Sequence, residues 1–143
     1  MSISVRKAIQ DSLKLYIETQ TNIPVYNLRD NSDSRGEKGI YIDVLPEKVS
    51  EISYDWYEMD IELHAVTYIT DDKQQIELNS IYNILFEIAM DLVSKRYSLL
   101  VPNVNLIAWG NEEAGQDNFP IDERFQASVI KLKVFAEPQI LTT

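Results

Sequence analysis

From Tyr57 to Ala65 the chain alternates apolar and polar side chains without a break, and Asp71-Asp72 then opens a helical pattern that continues to about Tyr97. A period of two places every second side chain on one face of a strand, and a period near 3.6 gives a helix one apolar stripe. A half-exposed strand followed by an amphipathic helix is the expected core. The polar face of the strand is acidic and carries no evident catalytic set, so it predicts a surface that assembles or repels.

The rest of the chain is consistent with one domain, residues 1–143. Its length of 143 residues is enough to bury a core. No apolar run approaches the length of a membrane span, and the first residues lack the basic-then-apolar layout of a signal peptide. Neither a membrane nor export is therefore expected. Cysteine is absent, so no thiolate is available as nucleophile or metal ligand, and a cytosolic setting is the expectation. The formal net charge is −10. Sequence-neutral DNA binding depends on Lys and Arg neutralising phosphates, so such an acidic chain is expected to repel polyanions.

A first helix is predicted over Ser4–Thr19, with Val5, Ala8, Ile9, Leu13, Tyr16 and Ile17 on one stripe. Pro24 and the Thr-Asn pair before it end this helix. Val25–Leu28 is a short strand. Residues 29–39 contain no apolar side chain until the strand that follows, and read as a surface loop. Strands are predicted over Ile40–Leu45 and Val49–Ile69, pairing as a hairpin, with Asp55-Trp56 a candidate bend or bulge. A long helix follows over Asp72–Tyr97, with Asp71 or Asp72 as N-cap and Lys95 and Arg96 at its C-terminal end. Its expected ridge is Ile81, Ile84, Leu85, Ile88 and Leu92, with Leu78 and Ala89 beside it.

Val104–Trp109 reads as a strand, residues 110–122 as a second polar loop, and Phe125–Glu137 as the last strand, stopped by Pro138. In that last strand the apolar phase switches between Val129 and Ile130. Either a bulge or a passage between two packing environments would produce this. The sum is an α+β fold: a mainly antiparallel sheet with an N-terminal helix and a long central helix on one face.

Catalytic constellations are sparse. His64 is the one histidine, and no nucleophile-elbow spacing accompanies it. Structural zinc needs several Cys or His ligands, and the glycines at 36, 39, 110 and 115 form no phosphate loop. No metal or cofactor is expected. Carboxylates alone cluster: Glu58, Asp60 and Glu62 share one strand face, and Asp43 lies on the expected partner strand. Together Asp43, Asp60 and Glu62 would suit a divalent cation. The Asp-x-Glu pair resembles restriction-endonuclease-like nucleases, except that the lysine of their motif is His64 here. A solvated acidic face accounts for the same residues. Tyr54, Trp56, Tyr57 and Tyr68 gather around the long strand and suit either a core or a protein interface.

Across its whole length the chain resembles the tail terminator, or tail completion, proteins of long-tailed bacteriophages and prophages. The resemblance lies in the short first helix, the Asn22-Ile23-Pro24-Val25-Tyr26 entry to a strand, and Gly39-Ile40-Tyr41-Ile42-Asp43-Val44 after a polar loop. It continues through His64-Ala65-Val66-Thr67-Tyr68, the helix carrying Glu77-Leu78-Asn79-Ser80-Ile81-Tyr82, and the closing Phe125-Gln126-Ala127-Ser128-Val129. Phage neck and head–tail joining proteins share such helix-strand orders.

This resemblance implies a structural virion protein without enzymatic activity, assembled in the bacterial cytoplasm and resident in the tail. Its subunits would form a ring, usually a hexamer, that ends tube polymerisation and offers a surface to the head. The implied partners are further copies of itself, the tail tube protein and the head–tail connector. DNA would pass through the ring without specific binding. Glu58, Asp60 and Glu62 are candidates for an acidic lumen wall or for the outer surface. Arg29, Arg35 and Lys38 in the first loop, and Glu112, Glu113 and Asp117 in the second, are candidate partner contacts. The alternatives are a neck component, a metal-dependent nuclease, or a monomeric adaptor domain.

Overall fold

A computed structural model describes residues 2–3, 5–27, 38–46, 48–49, 57–69, 75–94, 106–110, 118–121, 124–136 and 140–141. Within them the order is β1 (Ser2–Ile3), α1 (Val5–Thr21), β2 (Val25–Asn27), β3 (Gly39–Val44), β4 (Lys48–Val49) and β5 (Tyr57–Tyr68). Then come α2 (Ile76–Ser94), β6 (Leu106–Trp109), β7 (Asn118–Pro120), β8 (Phe125–Ala136) and β9 (Ile140–Leu141). The main sheet runs β2-β3-β5-β8-β6, with β4 added to β5 and β7 to β8. Every pair is antiparallel except β2 with β3. The fold is therefore α+β.

Strand alternation sorts the sheet into two faces. Ile40, Ile42 and Val44 of β3, Met59, Ile61, Leu63 and Ala65 of β5, and Ile130, Leu132, Val134 and Ala136 of β8 belong to one buried cluster. Ala8, Ile9, Leu13 and Ile17 of α1 join that cluster, as do Leu78, Tyr82, Leu85, Ile88, Ala89 and Leu92 of α2. Helix α1 contacts β2 and β3, and α2 contacts β5, β8 and β6. Arg6 ties the start of α1 to the sheet by donating from Nε to the Val44 carbonyl at 2.7 Å.

Helix α1 runs two residues past the expected Thr19. The hydroxyls of Thr19 and Thr21 donate to the carbonyls four residues back, and Asn22 closes the helix at φ 55° with its N–H on the Glu18 carbonyl. Helix α2 begins at Ile76, after Gln75 at φ 51°. The capping candidates Asp71 and Asp72, and Lys95 and Arg96, lie outside the described residues. Its buried stripe is also rotated from the expected ridge. Tyr82 is inside, whereas Ile84 is 38% exposed.

The expected strand from Val49 to Ile69 is instead two strands. β4 folds back on β5, with Lys48 opposite Glu58 and Val49 opposite Tyr57. The candidate bend at Asp55-Trp56 lies outside the described residues. β7 places a strand inside the expected second loop, using Phe119 and an edge Pro120 that needs no ladder N–H. The phase switch in β8 involves no bulge. Its pairing with β5 is continuous from Phe125 opposite Tyr68 to Ala136 opposite Tyr57. Phe125 and Ala127 instead pack in a second cluster on the opposite face, with Tyr41 and Val66.

The parallel pairing of β2 with β3 was not expected. A parallel neighbour needs a long connection to bring the chain back to the same end, and residues 28–38 supply it. Where the chain re-enters the sheet, the Ile40 N–H donates to the Pro24 carbonyl at 3.0 Å. Gly39 there has φ 153°, and a Cβ on it would stand 2.7 Å from the Pro24 oxygen. Glycine is the residue that fits.

Candidate assembly surface

On the sheet face opposite the helices, alternation brings Glu58, Asp60, Glu62 and His64 of β5 into one row. Asp43 stands beside Glu62 on β3. On the other flank β8 sets Lys133 opposite Asp60 and Lys131 opposite Glu62. Glu58 lies between two cations: its Oε1 is 3.3 Å from Lys133 Nζ, and its Oε2 is 3.5 Å from Lys48 Nζ. It is only 7% exposed. His64 Nε2 meets Glu62 Oε1 at 3.1 Å.

The acidic row of β5 is therefore flanked on one side by lysines of β8. Glu58 is too buried to line an open lumen, which leaves Asp60 and Glu62, both half-buried, as the acidic part of that face. Lys131 and Lys133, which stand across from them, are separated from β5 in sequence and meet it only through pairing. Among the described residues no group of three His, Asp or Glu side chains is arranged to hold a metal ion.

A second surface lies at the end of the molecule where β5 finishes, β8 starts and α2 begins. The Ile69 N–H donates to the Arg124 carbonyl at 2.7 Å, and the Ile121 N–H to the Phe125 carbonyl at 2.8 Å. The Tyr68 and Phe125 rings are 4.9 Å apart, and the Arg124 guanidinium sits 5.2 Å from the Phe125 ring centre. Gln75, just before α2, donates to Gln126 Oε1 at 2.8 Å, and Gln126 in turn donates to Thr67 Oγ1 at 3.3 Å. These bonds anchor the start of α2 beside the same strand ends.

Tyr68, Ile69, Ile76 and Ile121 are thereby gathered at one pole, each between 42% and 62% exposed. They are half of the eight exposed large apolar side chains among the described residues. Lys38 reaches this pole from the end of the first loop. Its Nζ is 2.8 Å from Glu77 Oε1 at the start of α2, and that hydrogen bond raises the lysine above its ordinary pKa. The second loop returns to the sheet here too, through β7 and Ile121.

Of the expected loop contacts, Lys38 is at this pole, while Arg29, Arg35, Glu112, Glu113 and Asp117 lie outside the described residues. Sequence reasoning did not single out Ile69, Ile76, Ile121 or Arg124. Tyr68 it placed in an aromatic group that suited either core or interface. No described helix is long and apolar enough to cross a membrane. No protein-family model matches the chain, and no curated protein is significantly similar to it.

Proposed function

We propose that the chain is a structural subunit of a bacteriophage tail, a terminator that forms a ring on the head-proximal end of the tail tube. The observation that carries the reading is the apolar pole of Tyr68, Ile69, Ile76 and Ile121. Exposed apolar side chains gathered at one end of a fold are a feature of surfaces that bind other proteins. The two loops expected to contact partners both rejoin the sheet at this pole. The α+β frame and the resemblance in layout to tail terminators agree with such a role. In this reading the pole meets the tube, and the ring, expected to be a hexamer, presents its other end to the head–tail connector while DNA passes through without being bound.

A neck component is the nearest alternative and would use the same pole against a different partner. A nuclease built on Asp43, Asp60 and Glu62 is the alternative of another class. Lys133 and Lys131 stand across from Asp60 and Glu62 on the next strand, and a face of mixed charge favours the structural reading.

The test is binding to tail tubes assembled from the tube protein of the same phage. Wild-type protein should decorate tube ends and halt their growth, whereas Ile69→Asp and Ile121→Asp should lose end binding while keeping the wild-type circular dichroism. End binding unaffected by both substitutions would show that the pole is not the contact. No binding by the wild type would sink the terminator reading.

A further inference from the structure

We draw no further inference here: the strongest candidate, the run of rings from Tyr82 through Phe86 to Trp109 that surfaces with Met90 at the β6 edge of the sheet, is an unpartnered apolar surface, and nothing in the structure shows what covers it.

Discussion

Glu58 shows how one side chain changes meaning between sequence and fold. In the sequence it is one of three acids on a strand. In the structure it is a buried carboxylate held between Lys48 and Lys133, and so links β4, β5 and β8. An amide in its place keeps one acceptor oxygen but turns an NH2 donor toward the second ammonium group, in a buried place. Glu58→Gln should therefore lower the free energy of unfolding by about 1–3 kcal/mol. Asp60→Asn, on the more open part of the same row, should stay within about 0.5 kcal/mol. Urea titrations of the two variants beside wild type check this, and equal effects would mean that Glu58 is no tighter than its neighbours.

Two tyrosines add a dependence on alkaline pH. Burial raises the Tyr16 hydroxyl above its ordinary pKa, with Asp91 adding to the effect, and burial alone does the same for Tyr82. A raised pKa means that the folded state prefers the neutral phenol. Its contribution is fully present below the unfolded-chain value of about 10 and is lost as pH rises through the folded value. The melting temperature should fall as the pH passes that range, and Tyr16→Phe with Tyr82→Phe should flatten the fall. A decline of the same steepness in the double variant would assign it to other groups.

At the scale of elements, the side-chain periods carried most of the fold. The alternation from Tyr57 became β5, and the long 3.6-residue pattern became α2. Detail failed where a period leaves more than one solution. Ile84 fits the helical stripe as well as Tyr82 does, but packing against β5, β8 and β6 turns the helix so that Tyr82 is inside and Ile84 is not. Leu85→Ala should accordingly cost about 2–5 kcal/mol of stability. Ile84→Ala should cost less than about 1 kcal/mol. Unfolding midpoints in urea separate them, and equal losses would restore the ridge expected from sequence. The parallel β2–β3 pair was not legible, because pairing direction depends on where residues 28–38 deliver the chain and that polar stretch has no apolar period to read. β7 was missed because three residues around Phe119 are too few to show one.

At the scale of the molecule, the acids of β5 were legible as a group, but the lysines set beside them were not, since those come from separate strands. The apolar pole was harder still. Tyr68 and Ile69 end a strand, Ile76 starts a helix and Ile121 sits near a turn, so nothing in their spacing announces that folding gathers them. Ring assembly asks for more than this pole, because a cyclic ring joins two different patches of each subunit. The most direct measurement is the mass in solution across a range of concentrations, by light scattering after size exclusion, with negative-stain images of the same fractions. The account predicts a particle of about six 16.5 kDa subunits. Its images should show a central hole of roughly 20 Å or more, the width a B-form duplex requires. A strict monomer at every concentration, unchanged by added tail tubes and cutting DNA with magnesium or manganese, would contradict it and make the strand carboxylates an active site.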